Sequence, residues 1–325
     1  LHYFKIPINF LVYAWPLLAC LQSVAQDTHY AQVQDMKLWF NPALKTDRKA
    51  RGQVHYRNVQ YPGLIDYSSK AFDIDLPMDN SDDPDEENVK FANLTIGLNL
   101  DNGGGLNSSS VMADFSYALP LNYDNTYLAL GFQAAYDFSS LMAPGYNFFP
   151  KGFDRYGPVG AAMLADPDQT GYTLQYFNGG AGLALFHNGE KSQWYMGLSA
   201  RHLNQPVTES FDSVPYRLAI SYGAQFGLTT TINSHASIGA YAFFNWQGGI
   251  YEHLIAAVYN RIPEDSAEFM YSFGLNWKIN DAIMPNVGVK FSKNRFFFYY
   301  EINPPGTEAF NYSRRAYDLT FRRDF

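Results

Sequence analysis

A two-residue alternation of apolar and polar side chains recurs along most of this 325-residue chain, and it restricts the available folds more than any other feature. In "NLTIGLNL", Leu94, Ile96, Leu98 and Leu100 oppose Asn93, Thr95, Gly97 and Asn99. "SVMADFSYAL" sets Val111, Ala113, Phe115, Tyr117 and Leu119 against Ser110, Met112, Asp114 and Ser116. "LAISYGAQFGL" repeats the pattern from Leu218 to Leu228, "YSFGLNWKI" from Tyr271 to Ile279, and "RFFFYYEI" from Arg295 to Ile302. Such alternation means β-strands with unlike faces. The runs are 8–11 residues long, about the length of a tilted strand through a bilayer and longer than an ordinary strand. A soluble sandwich also alternates. Here the polar parity is mostly Gly, Ser, Asn and Thr, which suits an enclosed lumen better than a solvated face.

The last strand sharpens the choice. In "RRAYDLTFRRDF", Tyr317, Leu319, Phe321 and Phe325 share one parity, and the chain ends on an aromatic. A barrel in lipid has this form by default. Composition agrees: aromatic residues reach 17% and charged residues only 17%, with mean hydropathy slightly polar. Alternating strands average out in this way, whereas a helical membrane bundle is far more apolar. The expected fold is therefore an all-β transmembrane antiparallel barrel of about fourteen strands, an even number as in bacterial barrels, with both termini periplasmic.

With the termini placed there, "PLNYDN" (120–125), "NGEK" (188–191), "INSH" (232–235) and "KN" (293–294) are periplasmic turns. The stretches 140–170, 202–215 and 303–313 are then outside loops, as the architecture expects. The acidic run "MDNSDDPDEEN" (78–88) is long for the periplasmic side. Its six carboxylates lack EF-hand spacing for Ca²⁺ and read as a solvated linker. "DNGGGLNSSS" (101–110) lacks the Lys-Ser/Thr of a phosphate loop and reads as a hairpin loop. The pairs Arg314–Arg315 and Arg322–Arg323 read as solvated strand ends.

Residues 1–25 have a lysine, an apolar run from about Phe10 to Leu21 and Ser23-Val24-Ala25, the form of a secretory signal peptide cleaved after Ala25. Leu17-Leu18-Ala19-Cys20 loosely matches a lipobox, so lipidation of Cys20 is the competing reading. Residues 26–49 are expected as an N-terminal periplasmic segment and 50–325 as an outer-membrane barrel. Cys20 is the only cysteine, which excludes an internal disulfide. The net charge of −8 excludes a nucleic-acid partner, since no basic stripe is present.

Seven histidines form neither His-x-x-x-His nor His-Glu-x-x-His, and no Gly-x-Ser-x-Gly occurs. No cofactor, metal or catalytic residue is expected. His202 and Pro206 are read as shaping a strand-to-loop turn, with Arg201 facing the lumen. Asn41-Pro42 and Tyr56-Arg57-Asn58 stand as a partner surface at the periplasmic rim or, equally, as a plain turn and first strand.

Several segments carry a resemblance. Behind the expected cleavage point come Gln26-Asp27, Phe40-Asn41-Pro42-Ala43, Tyr56-Arg57-Asn58 and Pro62-Gly63, then "GLSARHLNQP" (Gly197–Pro206) and "DAIMPNVGVKF" (Asp281–Phe291). In this order they resemble the PorP/SprF family of outer-membrane proteins of the type IX secretion system and gliding machinery of Bacteroidota. Two positions depart from it: Gln60-Tyr61 replaces a Gln-Trp, and Arg315-Ala316-Tyr317-Asp318 replaces a closing small-Ser-His-Glu segment, so a role resting on that His-Glu pair does not carry over. The resemblance implies a non-enzymatic barrel that supports export or surface anchoring of a large secreted adhesin with a type IX sorting domain. It also implies contacts with lipoprotein and ring components of that system. The terminal Phe321 and Phe325 resemble a barrel-assembly signal. The alternative reading is an outer-membrane diffusion channel or hydrophobic-solute transporter.

Overall fold

A computed structural model describes residues 30–32, 35–60, 66–78, 88–103, 106–121, 125–141, 153–154, 157–158, 172–209, 215–263, 268–303 and 314–325. After one helical turn, α1 (Lys37–Phe40), the chain forms β1 (Arg51–Gln60), β2 (Tyr67–Pro77), β3 (Phe91–Gly103), β4 (Leu106–Pro120) and β5 (Thr126–Leu141). A small pair, β6 (Phe153–Asp154) and β7 (Gly157–Pro158), precedes β8 (Tyr172–Asn188) and β9 (Ser192–Arg201). A second pair, β10 (Val207–Glu209) and β11 (Pro215–Arg217), precedes β12 (Ser221–Asn233), β13 (Ala236–Gln247) and β14 (Ile250–Arg261). Four strands finish the chain: β15 (Phe269–Lys278), β16 (Ala282–Phe291), β17 (Asn294–Glu301) and β18 (Arg315–Asp324).

Leaving out the two small pairs, the strands close into an antiparallel barrel of fourteen, each beside its neighbour along the chain. The seam joins first to last, with Arg51 opposite Asp324 and Gln60 opposite Arg315. Closure removes every free edge, so backbone groups at membrane depth are paired within the sheet.

The alternation read from the sequence is the inside–outside alternation of the wall. Phe72, Phe115, Phe132, Phe273 and Leu319 are exposed, while Asp73, Asp114, Ser116, Ser272 and Asp318 are buried. No helix among the described residues is long and apolar enough to cross a membrane. The outward face is instead an apolar band flanked by aromatics. Tyr222, Trp246 and Tyr251 stack along one end at 5.3 and 6.3 Å. Phe269–Phe291 and Phe296–Phe321 pair at the other, at 4.6 and 4.8 Å. Two aromatic rims around an apolar belt match the two interfaces of a bilayer, and the protein is an outer-membrane barrel.

The start of β1 and the end of β18 lie at the same end of the barrel, here the terminal end. The turns after β8, β12 and β16 lie at this end and are tight, whereas the connections from β5 to β8, β9 to β12 and β17 to β18 lie at the far end and are long. This division matches the turns and loops expected from sequence. Most of 140–170 and of 303–313, and the acidic run at 79–87, fall outside the described residues, as do residues 1–29 with the expected signal peptide.

Three details differ from the expectation. β4, β5 and β8 run to 15, 16 and 17 residues, so one side of the wall is taller than a minimal span. The Gly-rich stretch is mostly strand: β3 continues to Gly103 and β4 begins at Leu106. Leu218 does not face out, because β12 starts only at Ser221; its side chain is 2% exposed, and its N–H donates to the Pro206 carbonyl at 3.0 Å.

Candidate functional site

The lumen is occupied by the chain's own leading segment. Residues 30–32 and 35–50, expected as a separate periplasmic piece, lie inside the barrel, with Tyr30, Gln32, Met36, Phe40, Asn41, Leu44 and Lys45 all buried. A short polar stretch with one helical turn cannot bury itself. It is held because the wall supplies partners for both its apolar and its polar groups.

Asn41 and Pro42 sit close against the wall. Asn41 is fully buried; its Nδ2 donates to Gln225 Oε1 at 3.0 Å and to the Leu198 carbonyl at 3.2 Å, and its Oδ1 accepts from the Ala43 N–H at 2.9 Å. At three positions the wall opposite carries no side chain. A Cβ at Gly131 would collide with Pro42 and Ala43, one at Gly182 would collide with Asn41, and one at Gly197 would lie 2.6 Å from Asn41 Nδ2. These three lumen-facing glycines, on β5, β8 and β9, form the notch that receives Asn41-Pro42-Ala43. The two residues are therefore internal anchors and form no surface at a rim.

Apolar packing flanks the notch. Phe40 meets Phe243 with ring centroids 4.5 Å apart, and Arg201 lies over Phe40 at 5.9 Å. Leu44 enters a cluster with Phe91, Tyr127, Phe186 and Tyr195. Trp39 Nε1 donates to Asp73 Oδ1 at 3.2 Å. Upstream, the wall grips the backbone of Ala31 from both sides: its N–H donates to Asp318 Oδ2 at 2.7 Å, and its carbonyl accepts from Asn276 Nδ2 at 2.8 Å. Tyr30 Oη donates to Asn99 Oδ1 at 2.6 Å.

Ion pairs hold the segment toward the terminal end and brace the wall itself toward the far end. Toward the terminal end, Arg322 contacts Asp35 at 3.0 Å, and Lys45 contacts Asp75 at 3.1 Å with both side chains fully buried. Asp35 precedes β1, outside the spanning strands. Burial would raise its pKa, but Arg322, Arg295 and Arg51 outweigh burial and hold it at about 2. Lys37 is pushed down to about 8 by burial and by nearby Arg51; its Nζ sits 4.7 Å over the Tyr195 ring.

Toward the far end runs a chain of alternating charges. Arg57 reaches Asp318 at 2.8 Å and Glu301 at 2.6 Å; Arg314 reaches Glu301 and, at 2.8 Å, Asp281; Lys278 reaches Asp281 at 3.4 Å and Glu252 at 2.6 Å. The small, neutral lumen expected from sequence is thus corrected. Strand parity marks which residues face inward, but not that those from different strands converge as ion pairs. Arg314 and Arg322 belong to these networks, while their neighbours Arg315 and Arg323 remain exposed.

The other expected site residues divide by parity. Arg57 faces the lumen; Tyr56 and Asn58 take the outward parity, with the Tyr56 ring 6.0 Å from Tyr317. His202 is buried with φ 58°, its Nδ1 lies 2.8 Å from Asn178 Oδ1, and Gln205 also has positive φ. Left-handed backbone at two positions bends the chain from β9 toward β10, with Pro206 bonded to Leu218. Phe321 packs on Phe296, and Phe325 is 62% exposed with its N–H bonded to the Ala50 carbonyl at 2.9 Å. No group of three or more His, Cys, Asp or Glu fit to hold a metal occurs among the described residues. The sequence reading missed the notch glycines, although Gly131, Gly182 and Gly197 at lumen parity were a usable sign of close backbone approach.

Comparison with known proteins adds two results. Residues 22–322 match the family model described as type IX secretion system membrane protein PorP/SprF. Among solved structures, a Pseudomonas aeruginosa FadL homologue is similar with TM-score 0.51 and 10% identity, covering 88% of this chain and 92% of that one. CymD, titled a monoaromatic hydrocarbon channel, is similar with TM-score 0.50 and 9% identity, covering 89% and 92%. At such identity the likeness is one of fold. No curated relative matches the chain at a significant level.

Proposed function

This chain belongs to the PorP/SprF family of type IX secretion system membrane proteins, and from that premise we propose that it supports the export or surface anchoring of a cargo adhesin. In this reading it is a non-enzymatic component that works through protein contacts at the two rims. Its terminal end faces the periplasm and the lipoprotein and ring components there; its long far-end connections face the cargo.

One observation carries the proposal: the lumen a solute would have to cross holds the chain's own leading segment. The apolar side chains inside the barrel are packed against the leading segment in two clusters, one around Met36 and Phe40 and one around Ala43 and Leu44. Side-chain hydrogen bonds and buried ion pairs then fix that segment to at least six strands of the wall, β2, β3, β9, β12, β15 and β18. A barrel stoppered in this way serves better as a platform than as a conduit.

Gene deletion followed by surface labelling of intact cells, beside a small-solute permeability assay, tests the reading. Loss of one large adhesin with unchanged solute uptake is expected. Unchanged surface proteins with lowered uptake would favour the hydrophobic-solute channel instead.

A further inference from the structure

At the terminal end the strand register sets three cations side by side on the lumen face. Lys290 on β16 stands opposite Arg295 on β17, and Arg295 stands opposite Arg322 on β18. Like charges directly opposite one another destabilise a sheet, so such a row calls for compensating anions. Two of its members have them. Arg322 binds Asp35 at 3.0 Å and Asp324 at 2.8 Å, and Arg295 reaches the same Asp35 at 3.9 Å. Asp324 is shared again, with Arg51 at 3.5 Å.

The third member has none within ion-pair distance. Lys290, half-buried at the lumen mouth, forms no ion pair among the described residues, and neither does Lys293, exposed in the turn between β16 and β17. Among the described residues, two cations thus stand outside ion pairs beside two that share their carboxylates.

The parity of the row decides where its anion comes from. Bilayer headgroups meet the outward residues of these strands, Val289, Phe291, Phe296 and Phe321, whereas Lys290, Arg295 and Arg322 turn toward the aqueous mouth. Neighbouring strands lie about 4.8 Å apart and alternate residues of an extended chain about 7 Å apart. Carboxylates carried on an extended segment across the mouth can therefore reach successive cations of the row.

We propose that Lys290, Lys293 and Arg295, beside Arg322, form a docking site for an acidic segment of a partner protein at the terminal end of the barrel. The proposal rests on the secretion reading only for the compartment in which that partner is found. It differs from the internal contacts of the leading segment in adding Lys290 and Lys293, which pair with no described residue of that segment, to Arg295 and Arg322, which pair with its Asp35.

The test uses the full-length barrel in detergent and a fluorescein-labelled hexaglutamate peptide, read by anisotropy at low and high salt. The double variant Lys290→Glu/Lys293→Glu changes residues outside the ion pairs among the described residues, and heat-modifiable gel mobility verifies that it folds. Its affinity for the peptide is expected to fall roughly tenfold or more, while binding to the unaltered barrel weakens with salt. Lys191→Glu, exposed in the turn after β8 at the same end, is expected to bind as the unaltered protein does. No binding to the unaltered barrel, or equal losses in the double variant and Lys191→Glu, would overturn the site. Because the assay involves no secretion, a deletion strain that keeps its adhesins would refute the functional reading and leave this result standing.

Discussion

Asn41 and Gly197 touch inside the barrel: Asn41 Nδ2 occupies the space where a Cβ on residue 197 would fall, 2.6 Å away. Each belongs to a different segment that stood out in the sequence, one near the start of the chain and one in its middle. Their contact explains why both are needed by one structure. The first supplies the stopper, and the second supplies the bare wall it fits against.

Filling the notch is expected to destabilise the barrel. Gly182→Ala forces Asn41 away from its partners, an overpacking cost of about 1–3 kcal/mol. Asn41→Ala removes the obstruction but leaves buried groups unsatisfied, costing about 1–3 kcal/mol. Combined, the two should cost less than their sum, read as urea midpoints of the folded barrel. Strict additivity would mean that the two residues do not meet.

Arg57 holds two carboxylates at once. Arg57→Ala leaves Glu301 and Asp318 buried without their partner, and breaking a buried pair in this way costs about 3–5 kcal/mol. Asp318 also holds Ala31, so the loss should increase protease cleavage of the leading segment in the folded barrel. Protection unchanged from the parent protein would contradict the coupling.

Parity gives a contrast that the structure alters from the sequence expectation. Phe273 is 57% exposed on the outward face, and Phe273→Arg should cost up to ~2–4 kcal/mol near the midplane. On sequence alone, Asn276→Arg in the same strand looks harmless, as a lumen substitution. Yet Asn276 is 1% exposed and donates to the Ala31 carbonyl and sits beside Asn286. Asn276→Arg is therefore expected to lower the folded fraction as well, by expelling the segment. Heat-modifiable mobility separates the two causes when the leading segment is also deleted, since only Phe273→Arg should then remain harmful.

Asp35 predicts a pH dependence. Its folded pKa of about 2 lies below the ordinary 3.8. A depressed carboxylate contributes stability that is fully present above its unfolded pKa and is lost as pH falls through the folded value. Urea midpoints should therefore decline from pH 4 to pH 2, and Asp35→Asn should flatten that decline. A variant that declines as steeply as the parent would place the acid sensitivity elsewhere.

The wall was legible in the sequence because lipid imposes a strict two-residue rule on every strand, as in Tyr271 to Trp277 and Phe296 to Tyr300. The interior followed no comparable rule. Residues 30–32 and 35–50 show no alternation, since they meet several strands across the lumen and not one neighbouring strand in register, so nothing local marks Phe40 or Leu44 as inward. Ion pairs such as Arg57–Glu301 join residues far apart in the chain, and a single sequence does not give the register that brings them together. His202 was legible as a turn residue, but its bond to Asn178 depends on how β8 lies against β9.

The claim most in need of a direct test is that the stopper stays in place while the protein works. Asn276 on β15 lies against Ala31, its Nδ2 2.8 Å from the Ala31 carbonyl, and the only native cysteine, Cys20, lies in the expected signal peptide. Ala31→Cys with Asn276→Cys, which adds no bulk to the notch, can therefore join the segment to β15, and adhesin on the cell surface can be measured with the cross-link closed and after reduction. We expect equal display in the two states of the same variant. Display lost on oxidation and restored on reduction would show that the segment must leave the lumen, contradicting a barrel that acts through its rims.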